Sequence, residues 1–137
     1  MTVISVIVGS TREGRFSKGP AHWFLQHVKK RSSVEARPLD LRDFPMPFFD
    51  QPAPPGMSDR SPYEDDVVKK WTMAIAQSDG FIFVTPEYNF SIPGVLKNVI
   101  DWLSRPPEQT ITNGKPVAIM GAGGRLGSAR AQYHLRQ

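Results

Sequence analysis

Three glycine-containing stretches, the first two also bearing hydroxyls, hold the residue types that could grip a charged, planar molecule. The first, Gly9-Ser10-Thr11-Arg12-Glu13-Gly14-Arg15-Phe16-Ser17, combines small residues, hydroxyls and two guanidinium groups. Small residues let backbone approach a ligand closely. Hydroxyls, guanidinium groups and the free amides of a helix start together suit a phosphate dianion. An ordinary strand-to-helix turn capped by Ser17 is the plainer reading of the same residues. The second stretch runs Thr85-Pro86-Glu87-Tyr88-Asn89-Phe90-Ser91-Ile92-Pro93-Gly94. Tyr88 and Phe90 offer aromatic surface, and Asn89 and the backbone offer directional hydrogen bonds, as a flat heteroaromatic ring requires. On spacing alone this is also a capped turn, with Ser91 as N-cap and Pro93 near the first helical turn. The third stretch, Gly121-Ala122-Gly123-Gly124-Arg125-Leu126-Gly127, suits close backbone approach to a planar ligand, a weak signal by itself.

Other chemistries are excluded by residue identity. A Walker A loop needs Lys and then Ser or Thr after Gly14, where Arg15 and Phe16 stand. Neither Gly-rich loop has the spacing of the dinucleotide fingerprint, and the third also falls too late in the chain for it. Ser128 lacks the Gly-x-Ser-x-Gly elbow of hydrolases. His22 and His27 are spaced wrongly for a helical metal pair, and His134 has no evident partner. No metal site is expected. With no cysteine in the chain, thiolate ligands, disulfides and Cys nucleophiles are all absent.

The elements that must position these stretches follow from hydrophobic periodicity. Residues 3–8, 81–84 and 116–120 are nearly continuous apolar runs, as strands covered on both faces in a parallel sheet must be. Helical stripes fall at Ala21, Phe24, Leu25 and Val28, at Val67, Val68, Trp71 and Ile75, and at Val95, Leu96, Val99, Ile100 and Leu103. The acidic group Glu64-Asp65-Asp66 sits where the second of these begins, complementing the helix dipole. A remaining strand, Val34 to Leu41, contains Pro38, which cannot donate to a ladder and so belongs at a sheet edge. In the doubly wound order 2-1-3-4-5 the second strand is an edge, and right-handed crossovers put helices on both faces. Ligands of such sheets bind beyond the carboxyl ends of the strands, where the strand order reverses. The stretch from Phe44 to Pro62, rich in proline and holding Phe48-Phe49, reads equally as a functional loop or an interface cover.

Bulk properties describe one domain. The 137 residues carry 39% hydrophobic and 22% charged side chains, far from the disordered regime. The net charge of +4 invites a nucleic-acid reading, but the cations are dispersed. The one run, Lys29-Lys30-Arg31, closes a predicted helix and complements its dipole, so no nucleic-acid partner is expected. No apolar run approaches the ~18 residues of a membrane span, and no signal peptide precedes Val3, which points to a soluble, cytoplasmic protein with no membrane partner.

The residues Pro86-Glu87-Tyr88-Asn89, Ser91, Pro93-Gly94, Leu96-Lys97-Asn98 and Asp101-Trp102, with the Gly9-Ser10-Thr11-Arg12 opening, resemble the NADPH-dependent FMN reductase family. The likeness covers nearly the whole chain. It implies a flavodoxin-like doubly wound sheet, noncovalently bound FMN, NADPH or NADH as electron donor, and a homodimer or homotetramer. It further implies hydride transfer to bound FMN, and electrons passed on to a small-molecule acceptor such as a flavin, quinone or azo compound. The flavin would carry the chemistry, so no catalytic side chain is expected. By position, the resemblance assigns the FMN phosphate to Ser10, Arg12 and Ser17, with Thr11 and Arg15 as neighbours. Pro86, Glu87, Tyr88 and Asn89 would line the ribityl chain and ring edge, and Ala122 and Gly123 would approach the ring. Lys97, Asn98, Asp101 and Trp102 are expected to be structural or interfacial. The family often has Gly at position 90, so Phe90 is expected to narrow access to the flavin.

Relatives go on past a fourth helix to a fifth strand and helix, whereas this sequence stops at Gln137. The expected sheet is therefore 2-1-3-4, with its fifth strand absent and a ladder and part of an apolar face bared. A fragment, a shortened form and a chain completed by a partner all fit. Two further functions remain on the same fold, a non-enzymatic FMN-binding electron carrier and a truncated interaction module. Carriers of that kind are usually acidic, to dock on basic partners, and the charge of +4 runs the other way.

Overall fold

The computed structural model describes residues 1–52, 63–103 and 111–137. Its strands are β1 (Thr2–Val8), β2 (Val34–Asp40), β3 (Gly80–Thr85) and β4 (Val117–Gly121), and its helices α1 (Lys18–Val28), α2 (Asp66–Ala76), α3 (Gly94–Asp101) and α4 (Ala129–Leu135). The four strands form one parallel sheet in the order β2-β1-β3-β4, the order expected of a flavodoxin-like fold. Pro38 lies on the edge strand β2, opposite Val6, where its missing N–H interrupts no second ladder.

Alternation along β1 explains why both faces are covered. Val6 and Val8 pack with Val84, Ala21, Phe24 and Leu25 on the α1 side, whereas Ile7 joins Trp71, Ile75, Leu96 and Val99 of α2 and α3 on the other. Trp71 is fully buried, and its indole N–H donates to the Val99 carbonyl at 3.1 Å, so its one polar atom is satisfied inside the core. Removing such a side chain costs about 3–5 kcal/mol. The acidic start of α2 is a true cap: the Asp65 carboxylate accepts from the N–H groups of Val67 and Val68 at 2.8 and 3.1 Å.

Two features around α3 differ from sequence expectation or resolve it. Ser91 does not cap the helix. The N-cap position is Pro93, without a side-chain cap bond, and Ser91 pairs instead with Tyr88 through reciprocal backbone bonds of 2.9 and 3.1 Å. That pairing closes a two-residue hairpin over Asn89 and Phe90, both at positive φ (48° and 65°), and turns Ser91 away from the helix start. The beginning of the Pro-rich stretch is tied to α3. The Pro47 carbonyl accepts from the Asn98 amide and the Trp102 indole, and Asn98 Oδ1 accepts from Phe49 N–H at 2.9 Å. Asn98 and Trp102 are thus structural, and Phe49 packs edge-on against Trp102. Pro54, Pro55 and Pro62 lie outside the described residues.

On its outer side β4 pairs with no described strand, and Val117 there is 55% exposed. Beside it Trp23 and Phe24 of α1, with Ile82 and Ala118 of the sheet, line an apolar groove.

Candidate functional site

The strand order dictates where the site forms. The chain leaves β1 towards β2 and leaves β3 towards β4, on opposite sides, so the loops after β1 and β3 diverge and leave a crevice at the carboxyl edge. Backbone bonds just beyond the strands fix the loop roots. Gly9 N–H donates to the Val84 carbonyl at 2.9 Å, and Ala122 N–H to that of Thr85 at 2.8 Å.

The crevice opens into a cleft of about 550 Å³ to which all three sequence stretches contribute. Arg12 and Phe16 line it from the first, Pro86, Glu87 and Tyr88 from the second, and Ala122 and Gly123 from the third. Ser10 and Ser17 are fully buried and Arg15 nearly so. The Ser10 hydroxyl lies 2.7 Å from the Tyr88 phenol, and the same phenol oxygen accepts from Arg12 Nε at 3.3 Å, joining the first two loops. Five expected residues do not line the cleft: Ser10, Arg15 and Ser17 are buried in the first loop, and Thr11 and Asn89 fall elsewhere. Thr11 borders a neighbouring depression, where its carbonyl accepts from Arg42 Nε, and Asn89 builds the hairpin turn.

The first loop, on either side of the cleft-lining Phe16, has an unfilled hydrogen-bonding requirement. Ser17 Oγ, Arg15 Nε and Arg15 Nη1 are buried without a partner. Ser17 makes no side-chain cap bond to α1, which removes the plain capped-turn reading of its hydroxyl. Arg15 spends only Nη2, on the Asp40 carboxylate at the end of β2. Buried polar atoms are seldom left bare, so a hydroxyl and a guanidinium edge with free donors mark a place for an anion. In the first turn of α1 the N–H groups of Gly19 and Ala21 already donate to the Phe16 and Ser17 carbonyls and Pro20 has none, so the unspent donors here belong to the side chains of Ser17 and Arg15. This donor set fits the phosphate of FMN, and the apolar and glycine walls of the cleft fit its ring.

Sequence reasoning missed the outer wall. Gly124, Arg125, Leu126, Ser128 and Arg130 also line the cleft. Arg130 sits in the first turn of α4, where its backbone N–H and guanidinium donate to the two oxygens of Glu87 at 3.0 and 3.1 Å. Partial desolvation pushes the Glu87 carboxyl up, but the bonds from Arg130 and the backbone N–H of Ala131 outweigh it and hold it below its ordinary 4.5. The Arg130 guanidinium also stacks 4.9 Å from the centre of the Phe90 ring. Phe90 itself is 69% exposed and does not line the cleft, so it meets the site through Arg130. His134, which lacked an evident partner in the sequence, faces Ser91 at 2.8 Å because α4 folds back over the hairpin. The alternation of strands could have suggested Asp40, at the end of the strand beside β1. Nothing local marks Arg130.

The third loop is shaped by glycine. Gly123, Gly124 and Gly127 have φ of 96°, 73° and 55°. A Cβ at Gly121 would lie 1.9 Å from the Gly127 carbonyl oxygen, so the two ends of the loop meet where no other residue fits. Among the described residues, no group of His, Asp and Glu side chains could hold a metal ion, and no helix is long and apolar enough to cross a membrane.

Residues 2–137 match the NADPH-dependent FMN reductase family. The chain is 53% identical over 140 residues to an NAD(P)H-dependent FMN reductase of Pseudomonas aeruginosa, covering 96% of this chain and 65% of that protein. It is 42% identical to a 2-hydroxy-1,4-benzoquinone reductase of a Burkholderia species, with 97% and 67% covered. Among solved structures, a flavoenzyme NAD(P)H:(acceptor) oxidoreductase of Paracoccus denitrificans superposes with a TM-score of 0.71 at 31% identity, covering 98% of this chain and 69% of that one. The chain thus spans about two thirds of the length of these relatives. On its family match and these identities, the chain belongs to the NADPH-dependent FMN reductase family.

Proposed function

We propose that this chain binds FMN in the cleft at the carboxyl edge of the sheet and works as an NAD(P)H-dependent reductase. The observation that carries the reading is the set of buried donors without partners, Ser17 Oγ and Arg15 Nε and Nη1, on either side of Phe16, which lines a cleft together with Pro86, Tyr88, Ala122 and Gly123. Ser10, Arg12, Arg15 and Ser17 hold the phosphate, with Thr11 at its margin. Pro86, Glu87 and Tyr88 flank the ribityl chain and ring edge, with Asn89 shaping the turn beside them, and Ala122 and Gly123 approach the ring through backbone. FMN held by these residues would supply two-electron redox chemistry between NAD(P)H and an acceptor. The protein's own part is to fix the ring, keep one face open and exclude bulk water from the other. The acceptor is a small flat molecule such as a flavin, quinone or azo compound, and one relative is named for a hydroxylated quinone. The dispersed cations and the lack of a membrane-crossing helix among the described residues support a cytoplasmic protein with neither nucleic acid nor membrane as partner. It assembles as a homodimer or homotetramer.

An anaerobic absorption spectrum of protein with FMN, before and after NADPH, tests this. A flavin that co-purifies or titrates in, and bleaches on adding NADPH, is the expected result. Protein that stays colourless with FMN and oxidises no NAD(P)H would refute it.

A further inference from the structure

We propose that Arg125 is a specificity-determining residue, which ranks the second ligand of the cleft by the negative charge it carries. The inference rests on the flavin reading above. It starts from a difference among the guanidinium groups around the cleft. Arg12 is held by the Tyr88 phenol and the Gly14 carbonyl. Arg15 is bound to Asp40, and Arg130 is bound to Glu87 and stacked on Phe90. Each of these fastens one part of the scaffold to another. Arg125 lines the same cleft, is exposed, and makes no hydrogen bond or ion pair with any described residue.

Its placement is built by the loop. Gly123 and Gly124 before it and Gly127 and Ser128 after it all hold positive φ, and the Gly121–Gly127 approach pins the two ends. Ser128 at φ 60° is held there with its hydroxyl on the Gly123 carbonyl at 3.4 Å. A loop so constrained presents its tip, Arg125 and Leu126, at the rim. Leu126 is 61% exposed there, and so is the Phe16 ring at 65%, which lies against Gly123 from the opposite loop. The rim therefore offers two apolar side chains and one uncommitted planar cation.

That combination recognises a flat or partly apolar body bearing an anionic group, which the guanidinium can bind in a fork. Two molecules of the reaction supply such a group. One is a donor with the 2′-phosphate that distinguishes NADPH from NADH, and the other is an acceptor with an ionised hydroxyl. Because the guanidinium is exposed, its selectivity is also screened by salt.

The test uses FMN-loaded protein and reads binding from the flavin absorbance. Wild type, Arg125→Gln and Arg125→Lys are titrated in low salt with NADP+ against NAD+, and with 2-hydroxy-1,4-naphthoquinone against 1,4-naphthoquinone. Arg125→Gln is expected to weaken the member bearing the extra anionic group in at least one pair about tenfold, and its counterpart without that group less than twofold. Arg125→Lys should fall between, and added salt should shrink the difference. The pair that responds identifies the source of the anion. Equal losses within both pairs, or no loss in either, overturn the inference. So does a tenfold loss of FMN affinity in Arg125→Gln, which would put the residue in the cofactor's own site. Wild-type protein that takes up no FMN overturns the reductase reading and this inference with it, and is told apart by its missing flavin spectrum.

Discussion

The hydroxyl of Ser10, at the end of β1, lies 2.7 Å from the phenol of Tyr88, 78 positions later in the loop after β3. It is the shortest tie between the phosphate-type loop and the ring-type loop, and Arg12 is added to it through the same phenol oxygen. Tyr88→Phe keeps the ring and removes the tie. A stability loss of about 0.5–1.5 kcal/mol in urea unfolding is expected, typical of one hydrogen bond. FMN affinity, read by quenching of free-flavin fluorescence, should fall several-fold, because the two loops no longer hold their spacing.

Ser17 separates a structural role from a binding one by sign. Its hydroxyl is buried without a partner, so Ser17→Ala removes an unsatisfied group from the FMN-free protein. Thermal unfolding of the apoprotein should therefore be unchanged or raised, by up to about 1 kcal/mol. The same variant should bind FMN about tenfold or more weakly, since a charge-assisted bond to phosphate is lost. A destabilised apoprotein with normal FMN affinity would contradict the assignment.

Glu87 gives the pH dependence. Its folded-state value lies below the ordinary 4.5, because the bonds from Arg130 and Ala131 overcome the cost of burial. A depressed carboxylate contributes stability above the unfolded-state value and loses it as the pH falls through the folded-state value. Wild type should thus melt above Glu87→Gln at neutral pH. The gap should close as the pH is lowered below 4.5.

Phe90 holds a left-handed backbone at φ 65°, which costs an ordinary residue about 1–2 kcal/mol. Gly normally destabilises relative to Ala through its greater freedom in the unfolded chain. Here the order should reverse, with Phe90→Gly about 0.5–1 kcal/mol more stable than Phe90→Ala in chemical denaturation, the balance of those two effects. Both variants release the Arg130 guanidinium from the ring it stacks on, so both should admit broader acceptors, seen as a lower KM for the bulkier member of a quinone pair.

Much of this protein was determined by the sequence alone, through interactions that are local or periodic. The continuous apolar runs at residues 3–8 and 81–84 read as strands largely buried on both faces, whereas the run at 116–120 became a strand with Val117 exposed. Pro38 at an edge and an acidic helix start at residues 64–66 were legible too. The loop after β1 advertised its donors by residue type. Tertiary structure alone decided how those donors are spent, because hydrogen-bond partners distant in sequence leave no periodic trace. Arg15 was given to Asp40, Tyr88 to Ser10, and Glu87 to Arg130 only when strand order and the fold-back of α4 brought them together. Ser91 was a plausible cap by spacing until pairing with Tyr88 turned it towards His134. In the sequence Arg125 offers the same guanidinium as Arg12, Arg15 and Arg130. What distinguishes it is that each of the others found a partner and it found none among the described residues.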